Sequence, residues 1–329
     1  MLSPIGSPLP PTTHTPAIRQ FITNSLGFDL VGIAPAERME READLFQEWL
    51  ARGHHGSMEW IARNNHKRRD VRQILPSARS VIVVARNYFT PHQHSTQPDH
   101  AKISRYAWGR DYHNILPKKL KQLHQFLQTL EPNAESRWYV DTGPILEKQW
   151  AVRAGLGWMG KHTNIINRKM GSWLFLGVLI SSLELEYDSP IGDFCGSCTR
   201  CLDACPTNAF PQPYVLDATR CISYVTIEQL PKEEIPTEYG QQMENWVFGC
   251  DICQEVCPWN RFQQPTTEPD FQPRPGVLEL TLEQVRAMPD DEFQERFQGS
   301  PVRRAKPEGF RRNGRGNEGN DECRMSNAE

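Results

Sequence analysis

The alternation of apolar and polar residues predicts both helices and strands in the first part of the chain. Apolar residues recur at steps of three and four over residues 18–30 and 37–51, which predicts two amphipathic helices. Residues 30–33 (LVGI) are predicted to form a short strand, and the β-branched run at residues 81–85 (VIVVA) a buried one. This region is therefore predicted to be neither all-helical nor all-β.

A stripe of leucines marks a long helix further along the chain. Spacings of four, three, four and three residues place them on one helix face, and core packing explains that face: Leu116, Leu120, Leu123, Leu127 and Leu130. Strands are also predicted at residues 138–140 and 174–180, with a helical segment at 145–154 between them. The fold class is therefore α+β, with a mixed α/β domain over residues 17–185. No G-x-G-x-x-G opens a helix after a strand, and no G-x4-G-K-[ST] motif occurs, so nothing identifies a dinucleotide or phosphate site in it.

Composition divides the rest of the chain. Residues 1–16 are rich in Pro, Ser and Thr and are predicted to be a disordered leader. A cysteine-rich module is expected over residues 186–262 and a C-terminal helical segment over 263–312. The sequence from Phe310 onward is rich in Gly, Asn and Arg, so residues 313–329 are predicted to be a disordered tail. The chain shows neither a signal peptide nor an apolar stretch of about 18 residues, so we expect a cytoplasmic protein without membrane contact.

The cysteines are unevenly placed. The chain of 329 residues has 9 of them, and eight lie between Cys195 and Cys257. Disulfide frameworks are typical of short secreted domains, whereas clustered C-x2-C pairs in a long chain indicate metal binding in a reducing compartment. The ninth, Cys323, falls in the predicted tail and is expected to be a free thiol. The cysteine-rich module is therefore predicted to depend on what its thiols bind.

The spacing of these cysteines specifies the metal group. The first run is C-x2-C-x2-C-x3-C-P, as in bacterial ferredoxins: Cys195, Cys198, Cys201 and Cys205. A second run, Cys250, Cys253 and Cys257, lacks its first member, which Cys221 can supply. Because the fourth cysteine of each run ligates the other cube, two sets are predicted: Cys195, Cys198, Cys201 and Cys257 for the first [4Fe-4S] cluster, and Cys205, Cys221, Cys250 and Cys253 for the second. Two zinc sites are the alternative, but zinc needs neither the third cysteine nor the proline.

Two adjacent cubes carry electrons, which leaves three classes of function. The protein is an electron carrier, an enzyme that uses the electrons, or a binding protein in which the clusters are structural. The size of the N-terminal domain favours an enzyme. Within it, Asp141 ends a predicted strand and opens a Thr-Gly-Pro turn. Such an aspartate is commonly a turn former or N-cap, but a desolvated carboxyl group can also deliver a proton.

Six segments together resemble the epoxyqueuosine reductase family, over about residues 17–312. They read RYAWGRDYH, VDTGPILEKQWAVRAGLGWMGKHTNII, GSWLFLG, CGSCTRCLDACPTNAF, RCISYVTIE and GCDICQEVCPWN. The resemblance implies a base-off cob(II)alamin in the N-terminal domain, held against the first iron-sulfur cluster. It also implies reduction of epoxyqueuosine to queuosine in tRNA, with the epoxide oxygen lost as water. Asp141 is then the proton donor and borders the cobalamin.

The resemblance also suggests other cobalamin contacts. They are Arg68, Ser104, Ile165, Leu176, Ser223 and Asp251. Core packing explains Ile165 and Leu176 equally well, and Arg68 lies in a basic run that is often only a solvated face. Ser223 and Asp251 follow from their positions beside the cluster cysteines Cys221 and Cys250.

Partners follow from the same resemblance. They are tRNA carrying epoxyqueuosine and a low-potential electron donor of the ferredoxin or flavodoxin type, and the protein is expected to be a monomer. A net charge of −3 does not favour nucleic acid, yet two stretches are locally basic. The first contains Lys102, Arg105, Arg110, Lys118, Lys119 and Lys121, and the second Arg303, Arg304, Lys306, Arg311 and Arg312. A solvated helix face explains the first stretch about as well.

Three rival functions remain open from the sequence. A reductive dehalogenase also pairs a corrinoid with two cubes, although such enzymes are generally exported with a twin-arginine signal, which this sequence does not show. A plain two-cluster electron-transfer protein would contain no cobalt. A tRNA-binding protein with structural clusters would not need Asp141.

Overall fold

The structure is a computed structural model that describes residues 14–240 and 242–317. Its strands are β1 (Leu30–Pro35), β2 (Ser80–Asn87), β3 (Lys102–Ile103), β4 (Ser136–Tyr139), β5 (Trp158–Met159), β6 (Ile165–Ile166), β7 (Leu174–Ser181) and β8 (Trp246–Phe248). Its α-helices are α1 (Thr15–Gln20), α2 (Glu40–Ala51), α3 (Glu59–Ala62), α4 (Asn65–Arg69), α5 (Leu116–Leu130), α6 (Glu147–Arg153), α7 (Arg200–Asp203), α8 (Ile222–Ile227), α9 (Thr237–Gly240), α10 (Ile252–Glu255), α11 (Leu282–Ala287), α12 (Asp290–Arg296) and α13 (Lys306–Gly316). The predicted α+β fold class is confirmed.

A four-stranded antiparallel sheet in the order β1-β2-β7-β4 forms the centre of the N-terminal domain. All eight residues of β2 are buried, and successive side chains of a strand point to opposite faces of its sheet. Ile82 and Val84 pack with the leucines of α5, whereas Val81 and Val83 pack with Trp150 of α6. Helices therefore cover both faces of the sheet, which explains the continuous apolar run at residues 81–85 of β2.

The predicted elements match this domain closely, with shifted boundaries. The leucine stripe is α5, in which Leu116, Leu120, Leu123 and Leu127 are each fully buried. The helix predicted over residues 18–30 is shorter, because α1 continues only as a π-helical turn over Phe21–Ser25. Gly27 then adopts a φ of +68°, which glycine accommodates readily. α1 itself begins at Thr15, inside the predicted leader, and Thr15 is buried.

The cysteine-rich module consists of short helices and has small apolar clusters of its own. It is tied to the N-terminal domain by a parallel pairing of β3 with β8, in which Lys102 pairs with Trp246. A second tie comes from the loop after α2, where Ser57 N donates to Tyr224 Oη over 2.8 Å. Trp49 Nε1 also donates to Leu216 O over 2.6 Å. The module is therefore held by the larger domain on two sides.

The predicted disordered tail is corrected at its beginning. Residues 306–316 form α13, and Asn313 and Phe310 are fully buried. Arg312 donates to the carbonyl oxygens of Val225 and Leu230 over 2.6 and 2.8 Å. These polar side chains are ordered because they satisfy buried backbone carbonyl groups, a role that composition does not reveal. The predicted leader up to residue 13 and the tail from residue 318, including Cys323, lie outside the described residues.

Among the described residues, no helix is both long and apolar enough to span a membrane.

Candidate active site and cluster-binding module

The first predicted set of cysteines converges on one cavity. Its lining residues are Cys195, Cys198, Cys201 and Cys257, together with Lys161, His162, Ile166, Phe194, Pro258 and Trp259. Lys161 Nζ donates to Gly196 O over 2.7 Å and to Cys198 O over 2.9 Å, which holds the cysteine loop in place. Burial, and then the nearby charges of Cys257 and Cys195, raise the pKa of the Cys201 thiol to about 11. Four converging thiols match the requirement of one [4Fe-4S] cube, whose iron stabilises the thiolate form.

The second predicted set also comes together. Burial raises the pKa of Cys253, and the nearby charges of Cys221 and Cys205 contribute to the same shift. Burial also raises the pKa of Cys250, and the nearby charges of Cys253 and Cys221 act in the same direction. Cys221 directly precedes α8, and Cys253 lies in α10. Cys205, Cys221, Cys250 and Cys253 therefore lie near one another, and they offer the donors that a [4Fe-4S] cluster requires.

Asp141 lies in a tight turn beyond the end of β4. Its φ is +59°, and its backbone N–H donates to Glu147 Oε1 over 2.6 Å. Two residues later, a Cβ on Gly143 would lie 2.5 Å from the ring of Tyr139, so the turn requires glycine there. The carboxyl group of Asp141 is about half exposed, at 53%. The turn thus presents this carboxyl group at the surface on a backbone that Glu147 holds.

His113 lies beside Asp141 and was not predicted to be a site residue. Its Nε2 lies 3.4 Å from Asp141 Oδ2, and its Nδ1 lies 2.9 Å from Asp111 Oδ1. Burial would lower the pKa of His113, but the carboxylates of Asp111 and Asp141 outweigh it and raise the pKa to about 9. His113 is therefore a cation at neutral pH. The signal in the sequence was Asp111 two residues before it, in a segment that already contained several polar residues.

Two residues of α6 complete the surroundings of Asp141. Burial and then the charge of Asp141 raise the pKa of Glu147 to about 8. Lys148 is exposed, yet desolvation by the surrounding protein lowers the pKa of its ammonium group. The negative charges of Asp141 and of the thiolate form of Cys253 act against this shift. Asp141 and Lys148 therefore lie within electrostatic range of the second cysteine set.

Lys148 lies near both cysteine sets. Its Nζ donates to Thr163 O and to Asn164 Oδ1, each over 3.0 Å. Burial and then the charge of Lys148 lower the pKa of His162, which lines the cavity of the first set, to about 4. The charge of Lys148 also interacts with those of Cys253 and Cys221 of the second set. The expected place of the cobalamin against the first cluster stays a prediction.

Two of the suggested cobalamin contacts bind each other. Ser104 Oγ donates to Asp251 Oδ1, and the backbone N–H of Arg105 donates to Asp251 Oδ2 over 2.7 Å. Asp251 is 1% exposed, and burial raises its pKa. Gly249 approaches closely, since a Cβ there would lie 2.5 Å from Ser104 Cβ. These residues form a joint between the N-terminal domain and the second cysteine set.

The other suggested contacts differ in their surroundings. Arg68 is buried, donates to Arg63 O and lies 5.5 Å from the ring centroid of Phe46. Ile165 is buried in the core. Leu176 in β7 and Ser223 beside Cys221 are half-buried, so both retain surface for a ligand.

The basic stretches are largely used within the protein. Arg105 is buried, with its guanidinium 4.4 Å from the ring centroid of Trp108. Lys119 Nζ lies 3.0 Å from Glu268 Oε2. In the second stretch, Arg304 pairs with Glu228, Arg311 pairs with Asp290, and Arg312 is buried. Lys118 and Lys121 of the first stretch stay exposed on α5. The stretches therefore provide less free positive charge than their composition suggests.

Two family models match the chain. One is described as Epoxyqueuosine reductase QueG, DUF1730, and matches residues 68–142. The other is a 4Fe-4S double cluster binding domain and matches residues 194–260, which contain both cysteine sets. An epoxyqueuosine reductase from Synechocystis sp. is 51% identical over 290 residues, which is 87% of this chain and 99% of that protein.

Solved structures give the same result. The chain is similar to an epoxyqueuosine reductase with a tRNA-Tyr epoxyqueuosine-modified tRNA stem loop, at a TM-score of 0.85 and 31% identity over 93% of this chain and 80% of that one. It is also similar to an epoxyqueuosine reductase from Bacillus subtilis whose catalytic aspartate loop is swung out of the active site. The TM-score is 0.84 and the identity 31%, over 93% of this chain and 81% of that one.

Proposed function

Because this chain belongs to the epoxyqueuosine reductase family, we propose that it reduces epoxyqueuosine to queuosine in tRNA and releases the epoxide oxygen as water. The observation that carries the proposal is the position of Asp141, whose Oδ2 lies 3.4 Å from Nε2 of His113. The converging cysteines of the adjoining module are the proposed source of electrons. We further propose that the protein acts as a cytoplasmic monomer.

The proposed reaction balances with two electrons and two protons. Both carbon–oxygen bonds of the epoxide break, a carbon–carbon double bond forms, and the oxygen leaves as one water molecule. An epoxide oxygen leaves poorly as an alkoxide, so a proton donor within hydrogen-bond reach lowers the barrier. Asp141 Oδ2 delivers that proton in this proposal. The imidazolium of His113, at 3.4 Å, is positioned to return a proton to it.

The proposed ligands of the two clusters are the two cysteine sets. The first is Cys195, Cys198, Cys201 and Cys257, and the second is Cys205, Cys221, Cys250 and Cys253. Support comes from the match to a double-cluster domain and from the convergence of the first set on one cavity. Electrons are proposed to come singly from a low-potential carrier of the ferredoxin or flavodoxin type.

We propose that base-off cob(II)alamin binds beside Asp141 and the cysteine sets. When bound, it would supply a redox-active cobalt for reduction of the epoxide. Half-buried Ser223 and Leu176 have surface free to contact it. We propose that Ser104 and Asp251, which share a hydrogen bond, and Ile165, which lies in the core, border the same place. We propose that Arg68 contacts cobalamin only when its guanidinium gives up the hydrogen bond to Arg63 O.

The test is incubation of the anaerobically purified protein with tRNA that carries epoxyqueuosine, cobalamin and dithionite. Digestion and mass spectrometry should show the nucleoside with one oxygen atom fewer. Metal analysis of the same sample should give about eight irons per chain, with cobalt retained after gel filtration. Unchanged nucleoside mass in a sample with both metals would contradict the proposed reaction, and irons without cobalt would favour a two-cluster electron carrier.

A further inference from the structure

We propose that the surface over the first cysteine set is the docking site for an acidic one-electron carrier protein. We call it the Phe194 surface and define it by Phe194, Trp259, Phe262, Arg168 and Arg261. This inference rests on the proposed function, because it assumes that electrons enter from a separate protein. It adds where they enter and which chemistry recognises the carrier.

Aromatic rings form the apolar part of the Phe194 surface. Phe194 is 41% exposed and Phe262 is 38% exposed. Trp259 lies between them, with ring centroids 6.1 Å from Phe194 and 5.8 Å from Phe262. Large aromatic side chains that stay exposed together are typical of protein interfaces.

These rings lie directly against the first cysteine set. Trp259 packs in the same apolar cluster as Cys257 and Cys195. Phe194 lines the cavity on which the set converges, and Trp259 Nε1 donates to Phe194 O over 3.3 Å. The loop between the first two cysteines is at the surface, since a Cβ on Gly196 would have no atom within 4 Å. A protein that covered the rings would therefore approach the first cluster closely.

Positive charge borders the rings. The guanidinium of Arg168 lies 5.0 Å from the ring centroid of Phe194, and that of Arg261 lies 4.6 Å from that of Phe262. Both arginines are exposed, as are Lys169 and Arg200 nearby in the chain. Arg200 and Arg261 also line a wide cleft beside Cys257.

Two carboxylates lie near the surface. Asp193 accepts hydrogen bonds from Tyr214 Oη and from the backbone N–H of Cys195. Asp203 accepts a hydrogen bond from Thr199 Oγ1 over 2.7 Å. The four basic side chains named above outnumber these two acidic ones, although the whole chain has a net charge of −3. Such a patch attracts a partner whose redox centre is surrounded by carboxylates, and it speeds association at low salt.

The Phe194 surface borders the first cysteine set, and Asp141 is not among the residues that line the cavity of that set. A carrier on this surface would therefore not need to occupy the place of Asp141. At each docking the carrier loses one electron to the first cluster, and no bond forms. Two dockings supply the two electrons of one turnover.

Charge reversal tests the docking site in the holoenzyme. The double variant Arg168→Glu/Arg261→Glu is compared with Arg41→Glu/Arg52→Glu, which makes the same charge change at exposed positions on and after α2. Stopped-flow absorbance follows cluster reduction by a reduced acidic flavodoxin and, separately, by dithionite. For the first variant, the rate constant with flavodoxin should fall about tenfold at low salt and lose its salt dependence. The dithionite rate should stay within about twofold of wild type, and the control variant should match wild type.

Three results would overturn the proposal. They are an unchanged flavodoxin rate, an equal fall in the control variant, and loss of tRNA affinity with an unchanged flavodoxin rate, which would assign the surface to nucleic acid. Cluster reduction is measured without substrate. A failure of the proposed function therefore shows itself separately, as unchanged epoxyqueuosine in tRNA when dithionite supplies the electrons.

Discussion

At the scale of single residues, the proposed chemistry depends on how the protein holds Asp141. The left-handed φ of +59° and the hydrogen bond from its N–H to Glu147 Oε1 fix the start of the turn. Glu147 therefore holds the backbone that presents the Asp141 carboxyl group.

The raised pKa of Glu147 gives a prediction for stability. Its pKa is about 8 in the folded protein against a usual value of 4.5, so the folded state binds the proton more tightly. The stability that this group contributes is present below pH 4.5 and is lost as the pH rises through 8. Glu147→Gln removes this dependence. Thermal unfolding should show that the melting temperature of the variant, relative to that of wild type, is higher at pH 8 than at pH 5. The same difference in melting temperature at both pH values would contradict the assigned pKa.

His113 gives a prediction for activity. Its pKa of about 9 keeps the imidazolium beside Asp141 charged at neutral pH. His113→Gln removes this proton source, so turnover should fall about 100-fold while cluster absorbance stays unchanged. The wild-type rate should decline as the pH rises past about 9, and the rate of the variant should not. A variant that keeps the wild-type rate would exclude His113 from the proton path.

At the scale of elements, α13 shows how polar side chains can order a helix. Asn313 Nδ2 donates to Thr226 O and to Val247 O, each over 2.8 Å. Thr226 belongs to α8, which begins directly after Cys221, and Val247 belongs to β8, shortly before Cys250. The helix therefore braces two segments that carry cysteines of the second set.

Removal of this brace should destabilise the module. Asn313→Ala leaves two buried carbonyl groups without their donor, so the free energy of unfolding should fall by about 2 kcal/mol. Urea unfolding followed by cluster absorbance measures the change. Arg315→Ala, at an exposed position of the same helix, serves as the control and should have little effect. Equal effects of the two substitutions would contradict the role of Asn313.

The sequence predicted those elements whose burial leaves a pattern of apolar residues. In α5 one buried helix face spaces the leucines by three and four residues, and in β2 burial of both strand faces gives a continuous β-branched run. The cysteine spacing likewise predicted four thiols that line one cavity, those of Cys195, Cys198, Cys201 and Cys257. The end of α13, residues 313–316, was predicted to be disordered. Its glycine and asparagine content is typical of disorder when the carbonyl partners of these side chains are unknown. His113 was missed for a similar reason, since β4 and the segment before α5 bring it to Asp141 only in the folded protein.

At the scale of the whole molecule, the cysteine-rich module is held against the N-terminal domain. The joint of Ser104, Arg105 and Asp251 and the pairing of β3 with β8 connect the two. The Phe194 surface borders the first cysteine set, whereas Asp141 is not among the residues that line the cavity of that set. The proposed entry of electrons and the proposed proton donor are therefore at different places in the protein.

The most direct test of the central claim compares wild type with Asp141→Asn, each loaded to the same iron and cobalamin content. Both are incubated with epoxyqueuosine-containing tRNA and dithionite, and the nucleoside mass is followed over time. Wild type should remove one oxygen atom, and the variant should bind tRNA but lose at least about 99% of the rate, as expected for a lost general acid. Equal rates for the two proteins would contradict the assignment of Asp141 as the proton donor.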